Sequence, residues 1–197
     1  MPKISLVIMT YNEEHNIERC LDSAAGIVDE MLVVDSFSKD KTVALAEAKG
    51  ARVILHPFDG HKEQRQYSIS QSKHDYVLVL DADEALDDTL KASIAKVKEN
   101  WTHECYQMNR MSNIEEVWIR HGGWYPDKKM RLFHKEKYQI AGKSLALVNL
   151  SEKCQGMLSF VAPTTQVASP TEVVSKDEKT EDVSMIKIHG VVNGSAK

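Results

Sequence analysis

Unbroken apolar runs and helix-spaced apolar positions take turns along the first hundred residues. Ile4 to Met9 is apolar-rich without alternation, and after it Ile17, Cys20, Leu21 and Ala24 recur at intervals of three and four. The first pattern suits a strand buried on both faces, the second an amphipathic helix that stops near Gly26. Asn12, Glu13 and Glu14 supply a cap and acidic first-turn residues for that helix. The cycle then repeats. Met31 to Val34 predicts a second strand, and the polar stretch Asp35 to Asp40 opens a helix through Thr42, Ala44, Leu45 and Ala48 that stops at Gly50. Arg52 to Leu55 predicts a third strand, leading through Pro57 and Gly60 to a helix at Lys62 to Tyr67 with a weak apolar stripe. The fourth strand begins at Tyr76 and ends in Asp81, Ala82, Asp83 and Glu84; Leu86, Leu90, Ile94 and Val97 then mark an amphipathic helix that ends before Trp101.

Strands alternating with helices predict βαβ units and a parallel sheet, so the fold class is α/β. The alternation stops after Trp101. Cys105 to Met111, Glu116 to Arg120 and Lys129 to His134 have the mixed polarity of half-buried or antiparallel strands. A parallel sheet has a functional consequence. Thr10 to Glu13, Asp35 to Asp40 and Asp81 to Glu84 each begin where a strand ends, so they gather along one edge and line one crevice. The first offers an aromatic ring and an amide to a nucleobase. The second offers acceptors for base or ribose, and the third offers hard oxygen ligands to a divalent metal on phosphates. A plainer alternative stands beside this: acids, Ser and Thr cluster after strands because helix N-termini favour them. That accounts for Asn12, Ser38 and Asp40, and less well for Tyr11 and the Asp81 and Asp83 pair. No Gly-rich phosphate loop follows the first strand, so phosphates must be held through a metal.

Composition narrows the classes. With 197 residues, 42% hydrophobic and 27% charged, the chain has the balance of an ordinary globular protein with one sizeable core. Its net charge of -4 gives no reason to expect a nucleic-acid partner. Cys20, Cys105 and Cys154 are scattered and odd in number, which predicts reduced thiols. No apolar stretch reaches the ~18 residues of a membrane span, and the N-terminus lacks a signal-peptide core. The expected location is cytoplasmic.

The segments Ile4 to Glu14, Val34 to Thr42 and Leu80 to Glu84 together resemble the nucleotide-sugar domain of the family 2 glycosyltransferases. The resemblance covers roughly Lys3 to Gly142 and is close to the branch that adds glucose or a related sugar to the lipopolysaccharide inner core. It implies a GT-A, Rossmann-like fold: a mostly parallel sheet flanked by helices, with a short mixed or antiparallel acceptor-side extension over 105–142. It also implies a UDP-sugar donor, Mg²⁺ or Mn²⁺, and inversion at the anomeric carbon. By motif, Thr10, Tyr11, Asn12 and Glu13 belong beside uracil and ribose, and Asp35 beside the base. Asp81 approaches ribose or metal, and Asp83 binds the metal. Arg65 matches a basic residue that contacts base or diphosphate; a solvated helix arginine is the alternative. The segment His121 to Phe133 is similar to the acceptor side, where Trp124 and Tyr125 offer faces for a sugar ring or else fill the core. Lys128, Lys129, Arg131, Lys135 and Lys137 make this stretch basic, either to meet an anionic glycolipid acceptor and the inner membrane or simply as a solvated face.

Beyond Gly142 the resemblance fails. The family's His-Glu or Glu-Asp segment, which supplies a general base, has no counterpart, and 143–197 reads as a disordered or loosely attached tail with acids at Asp177 to Asp182. The catalytic base is therefore unassigned. A shortened or frame-shifted product is one expectation, and an acceptor domain supplied by a partner is another. The implied activity is metal-assisted transfer of a sugar to a lipopolysaccharide-core or similar glycan. The alternative is a truncated, catalytically impaired nucleotide-sugar-binding protein. A metal-dependent phosphatase using Asp81 and Asp83 ranks behind both, because its nucleophile would belong on the first strand.

Overall fold

The computed structural model describes residues 1–103, 105–114, 117–119, 122, 125–141, 144–147, 156–157 and 185–189. Its centre is four parallel strands, β1 (Ile4–Thr10), β2 (Glu30–Asp35), β3 (Arg52–Leu55) and β4 (Tyr76–Asp81). They lie in the order β3-β2-β1-β4, with Ser5 opposite Glu30, Ile4 opposite Tyr76 and Leu32 opposite Arg52. Between them run α1 (Ile17–Ala24), α2 (Thr42–Ala48) and α3 (His61–Ser70), and α4 (Asp88–Glu99) follows later.

Both faces of this sheet are covered, which is why its strands lack polar alternation. On one face Ile4, Leu6, Ile8, Leu78 and Leu80 pack with Ile17 and Leu21 of α1 and with Leu90, Ile94 and Val97 of α4. On the other, Val7, Leu32, Val34, Val77 and Val79 meet Ile69 and Tyr67 of α3. Each fully buried Ile or Leu contributes about 1.5–3 kcal/mol. The weak stripe expected of α3 has a structural reason: it turns Gln64 and Ser68 inward beside Ile69.

The remaining strands extend the sheet past β4. These are β5 (Glu84–Leu86), β6 (Cys105–Ile114), β7 (Val117–Trp118), β8 (Asp127–His134), β11 (Gly156–Met157) and β12 (Met185–His189). β8 is antiparallel to β4 and to β6, and β12 lies between β6 and β5. β9 (Tyr138–Ala141) and β10 (Ser144–Leu147) form a separate antiparallel pair. The α/β class and the antiparallel extension after Trp101 agree with the sequence pattern.

Two expectations need correction. Leu86 does not begin the fourth helix; it ends β5, because Glu84 to Leu86 pair with Ile188 to Ile186. The helix starts one residue after Asp87, whose side chain accepts a hydrogen bond from the Leu90 amide at 2.8 Å. The reduced state expected of the cysteines holds for the buried Cys20, whereas Cys105 is disulfide-bonded. No helix among the described residues is long and apolar enough to cross a membrane.

Candidate active site

The ends of β1 and β2 are tied into one platform by their following loops. Asp35, fully buried at the end of β2, accepts from the Thr10 hydroxyl at 2.9 Å, the Ser38 amide at 2.7 Å and the Ser38 hydroxyl. Asn12 adopts a left-handed backbone (φ 56°), which its short polar side chain tolerates. Its amide donates to Ser38 Oγ at 2.7 Å, and its Oδ1 accepts from the Lys39 amide at 2.8 Å. Glu13 donates its amide to Thr42 Oγ1 at 2.7 Å and accepts from Asn16 Nδ2 at 2.9 Å. Phe37 is also left-handed (φ 60°), a costly backbone for an aromatic residue that the bonds of its neighbours Ser38 and Asp35 hold in place. Tyr11 and Phe37 stand at the rim, 54% and 53% exposed. Thr10 and Asp35 are thus engaged with each other, while Tyr11 and Asn12 face solvent.

The third cluster is built against arginines. Asp81 has one oxygen on Arg65 Nη2 at 2.8 Å and the other on Arg131 Nη2 at 2.8 Å. Arg131 also binds the fully buried carboxylate of Glu84, and Arg110 lies 3.7 Å from Glu84 while pairing with Asp127 at 2.6 Å. Glu84 in turn accepts from the Asp81 amide at 3.1 Å. From α1, Arg19 donates to the Asp83 carbonyl at 2.8 Å, so the turn is braced from a third side. The reach of Arg131 follows from strand direction: antiparallel pairing sets the beginning of β8 beside the end of β4, where Asp81 sits.

The electrostatics follow from this placement. Burial works against ionised Asp81, but Arg131 and Arg65 outweigh it and hold its carboxyl below the usual range. Burial, then the nearby Asp81, raises Asp83. Burial also raises Glu84 despite Arg131. Burial opposes charge on Arg131 as well, yet Glu84 and Asp81 hold its guanidinium above its ordinary value.

Arg131 was not foreseen as a site residue. It stood in the basic stretch as a solvated or acceptor-facing charge, and it is 3% exposed. The available signal was its setting, a single arginine between Met130 and the apolar pair Leu132 and Phe133. Arg65 lies on the helix face toward Asp81 rather than in open solvent. Tyr125 is half-buried, its amide donating to the Gly122 carbonyl at 3.3 Å, and Trp124 lies outside the described residues.

The donor set suits a divalent cation of the Mg²⁺ or Mn²⁺ kind. Asp83 has no cationic side chain in ion-pair contact among the described residues, and it stands two residues from Asp81 on a sheet edge. No group of three or more His, Cys, Asp or Glu side chains in ligating arrangement occurs among them either. One or two carboxylates completed by phosphate oxygens and water is the manner in which Mg²⁺ is commonly held.

Four parallel strands covered by helices, with an acidic turn at the carboxyl end of β4, define an α/β protein whose candidate ligand site lies at that sheet edge. The chain belongs to glycosyl transferase family 2, whose model matches residues 5–154. It is 45% identical over 92 residues to an uncharacterised glycosyltransferase of Rickettsia bellii, covering 47% of this chain and 31% of that one. To an uncharacterised glycosyltransferase of Rickettsia typhi it is 36% identical over 133 residues, covering 68% and 43%. The lipopolysaccharide core biosynthesis glycosyltransferase LpsC of Rhizobium meliloti is 32% identical over 98 residues, covering 46% and 36%. Among solved structures, glucosyl-3-phosphoglycerate synthase from Mycobacterium tuberculosis, in complex with Mn²⁺, UDP and glucosyl-3-phosphoglycerate, is 28% identical with a TM-score of 0.44, covering 57% of this chain and 44% of that one. The chain spans less than half the length of each of these relatives.

Proposed function

We propose that this chain binds a UDP-sugar with a divalent cation, and that it transfers the sugar, glucose being favoured, with inversion to a lipopolysaccharide-core or similar glycan acceptor. The observation that carries the donor half is the acidic turn. Asp81 and Glu84 meet Arg65 and Arg131 at the carboxyl edge of β4, with Asp83 between them in the chain, in the same sheet edge as the Thr10 to Glu13 and Asp35 to Asp40 platform. In this reading Tyr11 and Asn12 receive the base, and Thr10, Glu13 and Asp35 shape the loops that hold it. Asp83, with Asp81 beside it, holds the cation. When bound, the cation stabilises negative charge on the departing diphosphate. Trp124 and Tyr125 serve the acceptor. Likeness to LpsC supports the glycan class of acceptor. The location in this reading is cytoplasmic, with peripheral contact at the inner membrane, and residues 1–142 carry the donor domain, to whose sheet β12 adds a strand between β6 and β5.

A second reading is retained for one reason: no base for the acceptor hydroxyl is assigned. In it the chain binds nucleotide sugar without turning it over. The two separate in one assay, UDP release from UDP-glucose with Mn²⁺ or Mg²⁺, with and without a lipopolysaccharide-core acceptor. Acceptor-stimulated release supports the transferase. Saturable UDP-glucose binding with no release in either condition overturns it in favour of the second reading.

A further inference from the structure

Asp81 is held unequally by its two arginines. Arg131 is locked: it is 3% exposed, comes from an interior strand, and also binds the buried Glu84. Arg65 projects from α3 with its side chain 20% exposed, and Asp81 is its sole ion-pair partner among the described residues. A guanidinium and a divalent cation compete for the same carboxylate, because each repels the other at such separations and the oxygen facing Arg65 is already used. A nucleoside diphosphate changes the balance, since its phosphate oxygens give a guanidinium a bidentate partner of higher charge than one carboxylate.

We propose that Arg65 is an exchanging counter-ion, resting on Asp81 in the empty site and moving to the donor diphosphate when it arrives, so that the divalent cation binds well only together with the nucleotide. Arg65 is then a positioning residue that sets the order of binding, and Arg131 is the fixed brace that keeps Asp81 in place during the exchange. This inference rests on the donor-site reading above. It goes beyond that reading in predicting opposite effects of one substitution on two ligands.

The test uses the full chain with Arg65→Gln and Arg65→Lys. Mn²⁺ affinity without nucleotide is followed by the paramagnetic resonance of free Mn²⁺, and UDP affinity with saturating Mn²⁺ by calorimetry. Arg65→Gln should bind free Mn²⁺ more tightly, roughly fivefold, the equilibrium equivalent of losing one partly exposed ion pair. The same variant should bind UDP roughly tenfold more weakly, as expected for loss of one charge-assisted contact. Arg65→Lys, which keeps the charge, should hold Mn²⁺ affinity near that of the parent. A purely structural role would lower both affinities together. UDP binding by the parent, with Mn²⁺ affinity unchanged or weakened in Arg65→Gln, overturns the exchange alone. Absence of Mn²⁺-dependent UDP binding by the parent overturns the donor-site reading and the exchange with it.

Discussion

Arg131→Ala should be the most damaging single truncation in the candidate site, and its cost follows from the two carboxylates it would strand. The arginine is 3% exposed and bridges Asp81 at 2.8 Å and Glu84, whose side chain is fully buried. Among the described residues, removing it leaves Glu84 with one cation, the more distant Arg110, 3.7 Å away and committed to Asp127, besides the Asp81 amide. Breaking a buried ion pair on one side costs about 3–5 kcal/mol, a large share of the roughly 5–15 kcal/mol that holds a domain folded. At a urea slope of about 2 kcal/mol per M, a loss near 4 kcal/mol moves the unfolding midpoint down by about 2 M. The effect should also depend on pH. Burial already raises Glu84 above its ordinary 4.5, and loss of the opposing Arg131 raises it further. A carboxyl raised by folding binds more protons in the native state, so its favourable contribution is present below 4.5 and disappears as pH climbs through the folded value. The destabilisation of Arg131→Ala should therefore grow from pH 4.5 to pH 8. Arg131→Met combined with Glu84→Gln, which removes the stranded charge, should recover at least about half of the loss. Urea melts across this pH range decide the matter: a loss below about 1 kcal/mol that is flat with pH would mean the pair behaves as a surface bridge and the buried-clamp argument is wrong.

The other end of the sheet offers an independent acid-range test. Glu30 is buried, and although burial opposes its charge, bonds from the Ser5 hydroxyl, the Lys73 amide and Arg52 lower its carboxyl pKa. Its contribution should be present above 4.5 and fade as pH falls through the lowered value, so Glu30→Gln should lose about 2 kcal/mol at pH 7 and less at pH 3. That figure is set below a fully buried pair because the Arg52 side chain is 34% exposed; parallel acid-limb melts of the two proteins would contradict it. Asp83→Asn should separate stability from binding. Because burial and Asp81 both disfavour its charge, the variant should melt at the parent's temperature or above it. Mn²⁺-dependent UDP affinity should drop at least about tenfold, a loss that even outer partners of metal ligands command. Unchanged UDP affinity by calorimetry would remove Asp83 from the site.

The first half of the molecule was legible because its signals are local. Ile4 to Met9 and Val77 to Leu80 pack on both faces, so Ser5 is their one polar residue and the strands stay plain, and Ile17, Leu21, Leu90 and Ile94 keep helical spacing against the same core. Asp87 hid the true start of α4, since β5 is short and its apolar Leu86 falls in step with the helix that follows. The pairing that makes it a strand is to β12, about a hundred residues away, which no local pattern reveals. Arg131 was obscured for the same reason. Its partners are 50 and 47 residues distant, and in sequence it is one cation among Lys128, Lys129 and Lys135. The loop platform lay between these extremes: Asn12, Ser38 and Asp40 were visible as capping residues, but Ser38 and Asp40 also bond from one loop to the other, accepting from the Asn12 and Glu14 amides.

The acidic turn is stable only because its counter-charges come from two directions. Three carboxylates within four residues repel one another, and a turn containing them would not close at neutral pH without nearby cations. α3 supplies Arg65 from within the βα half, and β8 supplies Arg131 from the antiparallel extension. Arg110 reaches Glu84 from β6 but is balanced by Asp127, so it adds field rather than net charge. Among the described residues two guanidiniums therefore offset Asp81 and Glu84, and the charge left without an ion pair is that of Asp83. The turn tolerates this one unbalanced carboxylate because Arg19 and the neighbouring strands fix its backbone. A fold needs no such residue for its own sake, since burial and Asp81 both work against its ionisation. The chain spends stability on this carboxylate, and in the proposed donor site a divalent cation is the partner that would return it.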